Sequence, residues 1–478
     1  MRTKIIGSWL ILIGIISLAG TIYLYPPGGL PGSYSSPISA SSFQTSQHMM
    51  MMAETVDIPQ EYYIESNSLA MATQSTNNQV IPMIFQRGTH YESSYIFKDT
   101  LTSSEYMSLS SEKEIIGIWD VPTIIYQKPA LTDVTSSSIY GDMADALTAT
   151  HTDELISMGY SGQDTIVAII DDYPSESDFY ETFPSSWSNR VLNYPSNPGS
   201  GTHGIMTAGI VAGVSPDTLL YLIEMSGDPI SCFQEIIGLI DIYPDYDIIS
   251  SNSYVYGGTA YYDSNHPIHR KILETTDNEI TVLFGAGNWA HTSEHNAEWT
   301  LEVGYDSRSD MFERDSEIGY PGVFDEVISV AGCNAFGDKI VSYSSLGRGV
   351  GNYDEPDISA PTHHSYDYSP YGGLTLGTSA STPFMAGICA NILSGKNADV
   401  DRMIGSIQSY STDRGTSGFD EEFGYGVVDA VEIFNNYDIW IPSPDEVPDL
   451  SMYMVSIGML GMGIVVYNKK NIFDMIGG

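Results

Sequence analysis

The chain has 478 residues, and its 60 Asp and Glu against 18 Lys and Arg give a formal net charge of −42. That length holds two to three domains' worth of sequence, and that charge repels nucleic acid, so no nucleic-acid partner is expected. The three cysteines, Cys232, Cys333 and Cys389, do not make a disulfide framework, and no Cys/His cluster has zinc spacing.

In chain order, Arg2 and Lys4 precede residues 5–25, which are uncharged and mostly apolar. Segment 1–25 therefore reads either as a secretory signal, with small residues for cleavage at Ser17-Leu18-Ala19-Gly20, or as an uncleaved signal anchor. Residues 26–78 shift to Pro, Gly, Ser, Gln and Thr, with no Lys or Arg between Lys4 and Arg87, and read as a disordered spacer. Residues 79–137 read as a small α+β unit. Strands are expected at 80–86 and 114–126, with a short helix between them opened by Ser103-Ser104-Glu105.

From 138 to 438, short apolar runs alternate with helical stretches. The runs at 165–170, 219–225, 247–251, 281–284 and 327–331 predict buried strands. The expected fold is α/β: a mainly parallel, doubly wound sheet with helices on both faces. In such sheets the site lies beyond the strands' C-terminal ends. Residues 439–449 form a Pro-rich acidic linker, and 450–467 carry no charge and are followed by Lys469-Lys470. The latter stretch is expected to span a membrane, with 468–478 as a cytoplasmic tail and the acidic middle of the chain outside, at the cell membrane.

Four segments in the 138–438 region carry chemistry. Residues 165–170 lead into Asp171, a carboxylate at a strand end. Gly201-Thr202-His203-Gly204 opens a helix of small residues, with His203 at its exposed end. Thr281-Val282-Leu283-Phe284-Gly285-Ala286-Gly287-Asn288 is a strand running into a glycine-rich turn. Gly377-Thr378-Ser379-Ala380-Ser381-Thr382-Pro383-Phe384-Met385-Ala386-Gly387 places a serine at the mouth of a buried helix, where free N–H groups and the helix dipole favour a developing negative charge. Pro383 is expected in the first turn of that helix, where its missing N–H removes no ladder bond.

The eleven residues around Ser379 resemble the serine motif of subtilisin-like proteases (subtilases), and the order Asp171, His203, Asn288, Ser379 is the subtilisin order. Val341-Ser342-Tyr343-Ser344-Ser345-Leu346-Gly347, Pro356-Asp357-Ile358-Ser359-Ala360-Pro361 and Gly424-Tyr425-Gly426-Val427-Val428-Asp429-Ala430 are further subtilase-like segments. The resemblance implies a serine endopeptidase acting on polypeptides, with Ser379 as nucleophile, His203 as general base, Asp171 orienting the imidazole and Asn288 donating to the oxyanion. It also implies that Ser253, Tyr254, Gly285, Ala286 and Gly287 line the substrate site, with Gly257-Gly258 beside them. Unit 79–137 stands where the family has a pro-domain. No cofactor is required for the chemistry, and the family is compatible with a structural calcium ion, although no ligand loop stands out.

Two features depart from the subtilase pattern. Asp172 and Tyr173 follow Asp171 where a small hydroxyl residue and Gly are usual. Ala380-Ser381-Thr382-Pro383 and Asp171-Asp172-Tyr173-Pro174 also look like the related sedolisins. Sedolisins carry a Glu and, four residues later, an Asp on the helix that here has His203 and Thr207, and an Asp where this chain has Asn288. The alternatives are thus a sedolisin-type acid peptidase and a catalytically inactive subtilase-like binding module.

Overall fold

The computed structural model describes residues 60–69, 80–87, 90–121, 141–225, 228–256, 265–288, 318–341, 343–347, 354–366 and 373–440. The expected signal or anchor at 1–25, most of the linker, the 450–467 span and the tail lie outside the described residues, as do Gly257, Gly258 and Ser342. Among the described residues no helix is long and apolar enough to cross a membrane. Two compact units divide the chain: one takes in the described residues 60–64 and 98–120, the other 65–97 and the described residues from 121 to 440.

Strands β1 (Gln60–Ser66), β2 (Val80–Arg87), β3 (His90–Leu101) and β4 (Ile115–Asp120) form a four-stranded sheet in the order β2-β3-β1-β4. Pro82 lies in β2, an outermost strand, where its missing N–H breaks no internal ladder. Between β3 and β4, helix α1 (Ser103–Leu109) starts where Ser103-Ser104-Glu105 predicts. Its capping box is complete, with Glu105 N–H donating to Thr102 Oγ1 at 3.3 Å and Thr102 N–H to Glu105 Oε2 at 2.9 Å.

Strand β1 corrects the reading of 26–78 as spacer throughout. Its two acids disguise it in the sequence, but Glu65 is 1% exposed and Arg270 answers it with two parallel bonds at 2.8 and 2.6 Å. Ser94 also donates to Glu65.

The larger unit is built on seven parallel strands. These are β5 (Thr165–Asp171), β6 (Val191–Asn193), β7 (Leu219–Glu224), β8 (Asp247–Asn252), β9 (Thr281–Gly285), β10 (Ile328–Cys333) and β11 (Ile358–Pro361), in the order β11-β10-β9-β8-β5-β7-β6. The five strands expected from apolar runs are all present. The short edge strands β6 and β11 were not expected, because neither is a long apolar run.

The described helices of this unit are α2 (Met143–Ala149), α3 (Thr152–Ser157), α4 (Glu176–Thr182), α5 (His203–Val214), α6 (Pro229–Ile242), α7 (Pro267–Asp277), α8 (Thr378–Leu393), α9 (Val400–Tyr410) and α10 (Ala430–Asn436). Alternation along β9 shows how they sandwich the sheet. Phe284 turns toward Phe233 of α6, their ring centroids 6.3 Å apart, while Gly285, one residue on, faces Thr378 and Thr382 of α8. So α6 and α8 cover opposite faces.

Helices α5 and α8 are buried almost all round, which is why both are written in small and apolar residues rather than as amphipathic stripes. They pack side by side, with Asn391 Nδ2 of α8 donating to the carbonyl of Val214 at 2.9 Å. Cys389 in α8 and Cys333 in β10 are buried.

The position of Pro383 differs from expectation. Helix α8 begins at Thr378, so Pro383 lies inside it, and the carbonyl of Ser379 has no N–H four residues on. Ser253 Oγ donates to that carbonyl instead, at 3.1 Å.

Candidate active site

The chain order fixes where a site forms. From β5 the chain fills one side of the sheet with β6 and β7, then crosses to the other side of β5 for β8 to β11. The winding therefore reverses between β5 and β8, and a crevice opens beyond their C-terminal ends. Asp171 ends β5, and Ser253 and Asn288 follow β8 and β9 closely. His203 opens α5 and Ser379 is the second residue of α8. Helices α5 and α8 each follow a parallel strand, so both start at this edge.

Asp171 is fully buried and its carboxylate is saturated. His203 Nδ1 lies 2.8 and 2.9 Å from its two oxygens, the Asp172 N–H donates to Oδ1 at 2.7 Å, and the Thr207 hydroxyl donates to Oδ2 at 2.9 Å. Burial of a carboxylate is tolerable only with such partners. With Nδ1–H committed to Asp171, the lone pair of the neutral ring sits on Nε2.

The same strand end also starts the helix. Asp172 Oδ1 accepts the His203 N–H at 3.2 Å and its carbonyl accepts the Gly204 N–H at 3.0 Å, while Thr202 makes no side-chain cap. Glu224, in register with Asp171 across β5 and β7, accepts the Tyr173 N–H at 3.0 Å. Burial, with Asp172 and Asp171 adding, pushes its carboxyl up, although two backbone N–H donors oppose this.

Around Ser379 the backbone is held from several sides. Gly377 has φ of +75°, open to glycine and strained for other residues, and a Cβ there would meet Asn288 Nδ2 at 3.1 Å. Its N–H donates to the Tyr343 hydroxyl at 3.0 Å and its carbonyl accepts from Thr362 Oγ1 at 2.8 Å. The hydroxyl of Ser379 points to the carbonyl of Ser253 at 3.5 Å.

Asn288 Oδ1 accepts the Thr378 N–H at 2.8 Å and Thr378 Oγ1 at 3.3 Å. That fixes which end of the amide is oxygen, and it leaves the NH₂ end on the side of Gly377.

The expected substrate-site residues fare differently. Tyr254 is 2% exposed and packs edge-on to Phe284 with centroids 5.7 Å apart, its hydroxyl donating to Asn252 Oδ1 at 3.2 Å. It is a core residue rather than a pocket wall. Gly285 is explained by helix packing, since a Cβ there would meet Thr378 Oγ1 at 3.0 Å and Thr382 Oγ1 at 3.1 Å. Ala286 is buried, pairing its N–H with the carbonyl of Val330 at 3.0 Å. The Gly287 N–H donates to Thr378 Oγ1 at 3.1 Å. Ser253 is engaged with the Ser379 backbone.

Three contributors were not assigned from the sequence. Thr207 acts through its hydroxyl and Thr378 through its N–H and hydroxyl, and these roles depend on partners distant in the chain. Asp172 was visible as a departure, but its capping of α5 depends on a contact across 31 positions. Among the described residues, no group of three or more His, Cys, Asp or Glu side chains is placed to hold a metal ion.

A model of the Subtilase family matches residues 162–426, more than half of the chain. The chain belongs to the subtilase family of serine-type peptidases. It is similar to the minor extracellular protease Epr of Bacillus subtilis (strain 168), with 23% identity over 288 residues, covering 56% of this chain and 38% of Epr.

Two solved structures share the fold. Fervidolysin from Fervidobacterium pennivorans, a keratinolytic enzyme related to subtilisin, matches with a TM-score of 0.52 and 17% identity over 79% of this chain and 61% of its own. The epidermin leader peptide processing serine protease EpiP from Staphylococcus aureus matches with a TM-score of 0.52 and 15% identity over 79% of this chain and 99% of its own. The chain thus spans well under half the length of Epr and about three-fifths of fervidolysin.

Proposed function

We propose that the protein is a serine endopeptidase that hydrolyses peptide bonds through an acyl-enzyme. Ser379 Oγ attacks the scissile carbonyl while His203 Nε2 takes the hydroxyl proton. The same nitrogen returns that proton to the leaving amine as the C–N bond breaks. Water then attacks the ester by the reverse proton route, releasing the acid and regenerating Ser379. Asp171 holds the ring in the Nδ1–H tautomer and stabilises the imidazolium. The amide NH₂ of Asn288 and the Ser379 N–H bind the oxyanion.

The observation that carries this reading is the buried Asp171–His203 pair, with Nδ1 2.8 Å from the carboxylate at the head of α5. An imidazole base, ordinarily titrating near about 6.5, suits work near neutral pH. The test is labelling of the processed, full-length protein with a fluorophosphonate probe. Ser379 is the expected labelled residue, and both Ser379→Ala and His203→Ala should lose the label. Absence of label on folded protein would support the inactive binding module, and an activity optimum near pH 4 the sedolisin-type enzyme.

We further propose that the enzyme is tethered at the cell membrane and works outside on polypeptides, as a zymogen whose 79–137 unit serves as pro-domain. The uncharged stretch 450–467 before Lys469-Lys470, and the basic start of segment 1–25, motivate this. Epr is described as extracellular, and EpiP as a processor of leader peptides. Carbonate-resistant membrane association that is lost when 450–478 are removed is the expected result. N-terminal sequencing of the mature protein reads signal and pro-domain cleavage.

A further inference from the structure

The hydroxyl of Thr207 is buried one helical turn beyond His203 and reaches the same carboxylate. It donates to Asp171 Oδ2 at 2.9 Å, and its alternative acceptor, the Gly204 carbonyl, lies further away at 3.3 Å. The geometry of α5 makes this contact systematic, because residues four apart on a helix share a face. His203 and Thr207 therefore grip Asp171 from one face, the first through a ring N–H and the second through a hydroxyl. Each Asp171 oxygen has one further donor besides the His203 ring: the Asp172 N–H for Oδ1 and Thr207 for Oδ2.

We propose that Thr207 is a positioning residue for the hydrolysis, acting through Asp171 on His203. This rests on the reading of Asp171 and His203 as the orienting carboxylate and the base. Without the Thr207 hydroxyl, Oδ2 is held only by the ring it is meant to orient, and the carboxylate can rotate about its own bond. A rotated carboxylate holds Nδ1–H at a poorer angle and gives less support to the cation that forms as Ser379 loses its proton. That cation exists in the transition state and not in the bound substrate, so the effect falls on kcat and leaves KM.

The titratable groups described around the pair are Asp172 at the end of β5, Glu224 at the end of β7 and the phenols of Tyr173 and Tyr254. The two phenols already donate elsewhere, Tyr173 to the Ile169 carbonyl and Tyr254 to Asn252 Oδ1, each at 3.2 Å, so neither replaces the Thr207 hydroxyl on Oδ2.

The test uses two pairs of near-equal shape, each differing in the hydroxyl: wild type against Thr207→Val, and Thr207→Ser against Thr207→Ala, all in the full chain. The wild type is first labelled with a fluorophosphonate. If it does not label, the protease reading fails and Thr207 is not at issue. With a labelling wild type, kcat on a peptide substrate should fall about ten- to a hundredfold in Thr207→Val, with KM within twofold. Thr207→Ser should keep at least ten times the kcat of Thr207→Ala. Melting temperatures are followed in parallel, and if Thr207→Val does not fold, the Ser/Ala pair decides. Equal kcat within either folded pair, or a Thr207→Ser variant as slow as Thr207→Ala, would overturn the inference.

Discussion

The hydroxyl of Ser253 donates to the carbonyl of Ser379 at 3.1 Å, the acceptor that Pro383 leaves without a helical partner. The contact is reciprocal, since the Ser379 hydroxyl reaches back to the Ser253 carbonyl at 3.5 Å. One residue after β8 and one at the head of α8 thus hold each other across the point where the winding of the sheet reverses. Proline inside a helix normally leaves a carbonyl exposed or a kink; here a side chain just after β8 supplies the missing donor.

Removing that donor should therefore matter only while the proline is present. Ser253→Ala is expected to lower stability by about 1–2 kcal/mol, the cost of leaving a buried acceptor unmet. In a Pro383→Ala background the helix supplies its own N–H, and the Ser253→Ala penalty should shrink by at least half. Urea unfolding of the four proteins measures the coupling, and strictly additive losses would show that the two residues act independently.

Asn288 is oriented by Thr378, whose N–H takes its oxygen at 2.8 Å. On the proposed mechanism, in which the amide acts only once charge develops, Asn288→Ala should lower kcat about 10²–10³-fold with little change in KM. Steady-state kinetics on a peptide substrate check this, and a loss confined to KM would assign Asn288 to substrate binding.

Glu355 and Asp357 flank Pro356 and are both buried. Asp357 Oδ2 accepts the Ser329 N–H and Oδ1 accepts from Gln408, each at 2.8 Å, while Glu355 hydrogen-bonds Asp357. Burial pushes Asp357 up to about 6 and Glu355 well up, the latter helped by the neighbouring negative charges of Asp357 and Asp325. The folded chain therefore holds these protons more tightly than the unfolded one, so stability falls as pH rises. For Asp357 the fall runs from 3.8 to about 6, and for Glu355 it begins at 4.5 and continues upward. Glu355→Gln removes most of that dependence, and the loss of melting temperature between pH 5 and pH 8 should at least halve. An unchanged slope would mean that the pair does not govern it.

His363 and His364 work in the opposite direction. Burial, the first cause for both, holds each ring down at about 4 from 6.5. The unfolded chain then takes up protons that the folded one refuses. Stability is present in full above about 6.5 and is lost as pH falls toward about 4, by about 3 kcal/mol per ring. His364, packed edge-on to Phe384 with centroids 6.3 Å apart, is the better probe. His364→Gln should flatten the acid limb of a stability profile between pH 6.5 and 4, measured by urea unfolding. A limb of wild-type steepness would show that the His364 ring is hydrated or already charged.

Most of the large sheet was legible because most of its inner strands are nearly continuous apolar runs, a pattern that burial on both faces explains, whereas β8 has only Ile248 and Ile249. The positions of Asp171, His203, Asn288 and Ser379 were legible for a related reason: each is a polar residue where an apolar element starts or stops. What escaped was whatever depends on distant partners. Strand β1 looks like spacer until Arg270 neutralises Glu65. Tyr254 looks like a pocket wall until Phe284 covers it. Pro383 looks like a first-turn residue until Ser253 is seen to supply its donor. Thr207 carries no local signal, because a threonine in an apolar helix is ordinary and only the geometry shows what its hydroxyl touches.

All sixteen residues of α8 are buried, so the Ser379 hydroxyl rides on a helix that cannot shift without disturbing the packing around it. Surface segments can be rewritten over evolutionary time without that cost. Ser379 itself cannot drift with them, because moving it would mean repacking the helix on which it sits.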